Sequence, residues 1–191
     1  MAATFVLIWF RVPQPDVQLA TGRLTVASAV RNYRAMLARS EIAAAAVAYL
    51  TMFLGVSCFV VYLPYWLEQS LGASSNAIAT LFVVGGIANV LTGPKAGKLS
   101  DRIGRKRIII LSSVGLSLVM LLTTVLVREF WAAYFLYFAI MVLVAMRLSP
   151  FSALLTALVS DERRGSLMSM TIALGQIGFA VGAAAAGPMV P

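Results

Sequence analysis

The chain has 191 residues, 61% of them hydrophobic and only 12% charged, with fifteen Lys and Arg against seven Asp and Glu and a net charge of +8. Soluble domains are about 45–50% apolar, and a chain of this length has too much surface to hide such an excess from water, so its natural solvent is lipid. One cysteine, Cys58, and no histidine exclude an internal disulfide, a thiolate or histidine metal site and Ser-His catalysis. No catalytic residue, metal or cofactor is therefore expected, and the positive charge points to a bilayer rather than to nucleic acid.

In chain order, Ala2–Phe10 is apolar but too short to cross a bilayer, and it lacks the basic region and cleavage site of a signal peptide. Residues 1–10 read as the tail of a preceding membrane helix, stopped by Pro13 and Pro15 in the run Arg11–Asp16. Residues 11–41 read as a basic linker. Within it Val26, Val30, Tyr33 and Leu37 recur at helical spacing, predicting an amphipathic helix with Arg23, Arg31, Arg34 and Arg39 that lies on an anionic membrane surface.

Residues 42–191 then predict a bundle of five transmembrane helices, at about 42–67, 73–96, 107–127, 130–160 and 165–190. Each is near the roughly 20 apolar residues a crossing needs, and lipid forces the backbone to satisfy itself as helix. Five basic residues before residue 40, six between Lys95 and Arg107, and Arg163 with Arg164 all fall on one side, whereas Arg128 stands alone on the other. The positive-inside rule places the amino-terminal segment in the cytoplasm and the Pro191 end outside. Tyr62, Tyr65, Trp66, Trp131 and Tyr134 fall at the outer surface and Trp9 and Phe10 at the inner one, where aromatic rings anchor at the headgroups.

Chemistry concentrates in the connection Gly97-Lys-Leu-Ser-Asp101-Arg102-Ile-Gly104-Arg105-Lys106-Arg107. Gly104 permits a tight reversal, Asp101 can accept from an arginine or from amides at a helix end, and Arg102 and Arg105 present planar donor forks. With Gly97, Leu99, Asp101, Arg102, Gly104, Arg105 and Lys106 in register, the run resembles the G-x-L-x-D-R-x-G-R-K/R motif of the major facilitator superfamily. The acidic-then-Arg-Gly run Ser160–Gly165, with Glu162, Arg163 and Arg164, resembles the loop two helices later in that family.

The resemblance covers essentially the whole chain and implies an all-α membrane protein: the C-terminal half of a bacterial drug or sugar efflux permease in the inner membrane. Its helices would be the seventh to the eleventh, with the sixth helix of this half missing. It further implies a conformational latch, in which Glu162 pairs with Arg102 or Arg105 and Asp101 with Arg163 or Arg164. The implied function is export of a small solute by alternating access, with the missing N-terminal half or another copy as partner. A five-span protein that oligomerises or regulates without transporting is the alternative.

Away from the ends of the spans Arg147 is the one charged residue, and such charges line cavities or meet partners. It does not fall where the family's intramembrane arginine stands relative to Pro150, so that role is not carried over. Arg147, Asn89 and Gln176 are the substrate-cavity candidates, although interhelical bonding is the better expectation for the two amides. Gly93-x-x-x-Gly97 and Gly178-x-x-x-Gly182 predict close helix packing, Pro64 and Pro150 kinks, and Cys58 an inert packing residue.

Overall fold

The structure, a computed structural model, describes residues 25–187. The chain divides into two units, Met1–Arg31 and Asn32–Pro191. Of the first, the described part is the start of helix α1 (Val26–Leu37). Thr25 and Ser28 cap it reciprocally: Ser28 N–H donates to the Thr25 carbonyl at 2.9 Å, and Thr25 N–H donates to Ser28 Oγ at 3.1 Å. Such an exchange satisfies amides the first helical turn leaves unpaired.

The second unit holds the rest of α1 and five long helices: α2 (Ser40–Leu71), α3 (Ser75–Ile103), α4 (Arg105–Leu126), α5 (Phe130–Ala157) and α6 (Asp161–Ala186). All five are long and apolar enough to cross a membrane, and no strand occurs among the described residues. The helices run past the apolar segments. Lys95, Lys98, Asp101 and Arg102, read from their charge as a loop, belong to α3, which ends only at Gly104 (φ +106°). Charge ends an apolar segment without ending a helix, because Lys, Arg and Leu are good helix formers and only Gly supplies the stop. For the same reason α6 begins at Asp161, so Glu162, Arg163 and Arg164 lie in its first turn. At the opposite end α2 closes on Gly72 (φ +62°), where Gly72 and Ala73 N–H return to the Glu68 and Leu67 carbonyls.

Neighbours in space are not neighbours in sequence. Helix α6 lies parallel to α2: Gly175 sits against Tyr49, Gly178 against the Leu50 carbonyl and Gly182 against the Leu54 carbonyl and Ser57. Ser57 Oγ donates to the Phe179 carbonyl at 2.5 Å, and Cys58 Sγ lies 3.4 Å from the Gly182 carbonyl. Helix α3 runs parallel to α5, with Gly85 beneath Tyr137 and Gly97 beside Ser149. Helix α4 is antiparallel to α5, Gly115 facing Leu143. In lipid the association of helices rests on packing and hydrogen bonds rather than on escape from water, which suits glycines at these crossings. Gly93 does not share in this: its Cα faces open space, and Gly85 makes the close approach instead.

Ile42, Met52, Phe151, Leu155, Leu167 and Met170 pack together near the α5–α6 connection, and Leu63, Leu67, Leu81, Ala133 and Tyr137 near the opposite end. Outward faces carry Val90, Leu121 and Phe135, each at least 71% exposed, a distribution suited to lipid and costly in water. On α1 the residues turned to the core are Met36 and Tyr33, whereas Leu37, expected on the apolar stripe, is exposed. The aromatic residues are more than anchors. Trp66 packs against the Leu63–Leu67 cluster, and Tyr134 hydroxyl lies 2.6 Å from Thr80 Oγ1 and donates to the Ala77 carbonyl at 3.2 Å. The tail and proline break expected over residues 1–16 lie outside the described residues.

Candidate functional site

The charged motif occupies the last turns of α3 and the first of α4, joined through Gly104 alone. Asp101 stands at a helix C-terminus and Arg105 at a helix N-terminus, each at the end where the helix dipole disfavours its charge. They offset one another. Arg105 Nε and Nη2 donate side-on to one Asp101 oxygen at 3.2 and 3.1 Å, and Arg105 Nη1 donates to the Ala153 carbonyl of α5 at 3.0 Å. One guanidinium thus ties the α3–α4 corner to α5.

A second arginine grips the same helix end. Arg164 Nε donates to the Thr156 carbonyl at 3.2 Å, and its Nη2 pairs with Asp161 at 3.0 Å. Thr156 lies in the last turn of α5, where carbonyls lack intrahelical donors and the dipole favours a cation. The two loops meet through these backbone acceptors. In the structure Asp101 pairs with Arg105 rather than with Arg163 or Arg164, because a partner four residues away across a one-residue break costs less to order than one about sixty residues away. The side chain of Glu162 lies outside the described residues, as does any pairing it makes.

Of the remaining motif residues, Gly97 permits the α3–α5 contact: a Cβ there would stand 3.3 Å from Ser149 Oγ. Arg102 shares an exposed face with Lys95, Lys98 and Leu99 around a groove of about 240 Å³. Lys106 borders an apolar groove of about 380 Å³ between the starts of α2 and α4 and the end of α5, with Glu41 on its rim. Arg163 lines a cavity of about 280 Å³ with Asn32, Ala35, Met36 and Ser166.

The substrate-cavity candidates are not brought together. Arg147 is buried at 7% exposure, and its Nη2 donates to the Met52 carbonyl of α2 at 2.9 Å. Asn89 is half-buried on α3 and Gln176 exposed on α6, and neither lines the crevice that holds Arg147. Sequence reasoning missed the acceptors Met52, Ala153 and Thr156 because each acts through its carbonyl. The usable signal was the α5 C-terminus as the negative end of a long dipole.

The sequence profile of the Major Facilitator Superfamily matches residues 45–190. The chain is also similar to multidrug resistance protein MdtG of Proteus mirabilis (strain HI4320), at 32% identity over 114 residues, covering 60% of this chain and 27% of that relative. It thus aligns with about a quarter of the relative's length. No solved structure matches significantly. The profile spans α2 to α6 and includes the corner where Asp101, Arg105 and Ala153 meet, and on that match this multi-pass membrane chain belongs to the Major Facilitator Superfamily.

Proposed function

We propose that the chain is the greater part of the second half of a secondary transporter that exports a small organic solute across a bacterial inner membrane by alternating access. The observation that carries this reading is the Asp101–Arg105–Ala153 corner. It ties the α3–α4 corner to α5, which supports a reading in which the three helices move together, and Lys95, Lys98 and Arg102 are exposed where carboxylates of an opposing half would engage them. Formed, those contacts close the side that carries the motif; broken, they let it open. The excess of Lys and Arg at this end supports a cytoplasmic position for it.

Helix pairing supports a repeat. The first helix of each successive triplet, α2 or α5, packs parallel to the second helix of the other, α6 or α3. The third helix of the first triplet, α4, packs on α5, so its counterpart would pack on α2, as internal repeats require. The name of the relative, a multidrug resistance protein, supports export as the direction.

The test is ethidium accumulation in a drug-sensitive bacterium producing the full-length polypeptide. Lower accumulation than in cells with an empty vector, restored by Asp101→Arg, is the expected result. Unchanged accumulation of every dye tried, with the protein correctly inserted, overturns the export reading.

A further inference from the structure

Arg147 differs from the other arginines described above. The residue is only 7% exposed, it lies in the interior of a helix long and apolar enough to cross a membrane, and its Nε–H is buried without a hydrogen-bond partner. Burying a cation is costly unless it is paired and its donors are satisfied. The single bond from Nη2 to the Met52 carbonyl supplies part of a dipole, not a counter-charge.

Among the described residues no acidic side chain supplies the counter-charge. Along α2, Glu41 and Glu68 lie about 16 and about 24 Å from Met52 at 1.5 Å per residue. Asp101 is engaged by Arg105, which reaches α5 at Ala153, about 9 Å along the axis from Arg147. Glu129 and Asp161 flank the ends of α5. The crevice beside Arg147 is walled by Met52, Phe53, Val56, Val144 and Leu148, all apolar, and its volume is about 30 Å³. That is room for about two waters, the size of a carboxylate head. Nε and Nη2 form the side-on edge of a guanidinium, the fork that takes a carboxylate in two bonds.

We propose that Arg147 is an oxyanion site, taking a carboxylate head in the crevice between α2 and α5 through Nε and Nη2, with the anion supplied from outside residues 25–187. Only the head fits, so the remainder of the molecule lies outside the crevice. Two sources share this chemistry: a carboxylate-bearing solute, or an aspartate or glutamate elsewhere in the full-length polypeptide. The first source rests on the transport reading; the site itself does not.

The experiment is thermal unfolding of the full-length polypeptide purified from its own membranes, with sodium benzoate as probe and benzamide as its neutral counterpart. For a solute site, benzoate at a hundred times its Kd raises the midpoint by about 2–4 °C and benzamide leaves it unchanged. Arg147→Met removes the benzoate response, and Arg147→Lys, which keeps the charge without the fork, reduces it. For an internal source, benzoate has no effect, Arg147→Met lowers the midpoint, and second-site suppressors neutralise an aspartate or glutamate outside residues 25–187. The proposal is overturned by a benzoate shift equal in wild type and Arg147→Met. It is equally overturned by no shift together with an Arg147→Met protein that is as stable as wild type or lacks such suppressors. Dye export on the same preparation is read separately: binding without export retires the transport reading alone, and export without binding or suppressors retires this site alone.

Discussion

Asp101 and Arg105 are 61% and 37% exposed, and exposed pairs contribute at most about 1 kcal/mol. Asp101→Arg is therefore expected to change stability by no more than about 1 kcal/mol while, on the proposed export reading, dye efflux falls about tenfold or more, since two like charges then face each other at the α3–α4 corner. Thermal unfolding and dye efflux on the same variant check both parts, and normal efflux would remove the latch. Gly104 makes the opposite prediction. Its φ of +106° is closed to L side chains although its surroundings are open, so Gly104→Ala should cost about 1–3 kcal/mol through backbone strain alone. Gly165, equally unobstructed but helical, should gain up to about 1 kcal/mol as alanine. Unfolding midpoints moving in opposite directions would confirm the contrast.

At the scale of the element, the α2–α6 crossing sets the tightest steric demand. A Cβ on Gly178 or Gly182 would stand 2.5 Å from the carbonyl of Leu50 or Leu54, and backbone cannot yield as a side-chain tip does. Gly182→Leu should separate the helices, break the Ser57–Phe179 bond and cost at least about 1–3 kcal/mol. Gly93→Ala, helical and on an open face as Gly165 is, should cost nothing and gain up to about 1 kcal/mol. Measured stability in detergent distinguishes them, and equal effects would refute the packing account. The same helices show where sequence reading works. The existence of five spans was legible because lipid demands long uninterrupted apolar helix. Their ends were not, because Lys95 to Arg102 signal the membrane surface and not a break in hydrogen bonding. Gly178 and Gly182 were legible as a packing motif, but α2 as their target was not, since spacing along one helix does not name another. Similarly the motif names Asp101 and Arg105, whereas Ala153 enters through a carbonyl that every residue possesses.

For the whole molecule, orientation is the first claim to test. On a Cys58→Ala background, cysteine placed at Arg128 should react with a membrane-impermeant maleimide in intact cells. Cysteine at Arg163 should react only after permeabilisation, and the reverse pattern would invert the proposed topology. The bundle's wiring has a further consequence in time. Helix α2 finds its partner in α6, and the bonded residues Ser57 and Phe179 are separated by 122 positions. At synthesis rates of about 5–20 residues per second, α2 waits roughly 6–24 s after leaving the ribosome before α6 follows. Through that interval its Ser57 hydroxyl is without the Phe179 carbonyl it will bond, and the α2 backbone is without the glycines that will pack on it. Slow decoding between α2 and α6 would lengthen this wait without altering a single residue of the finished protein.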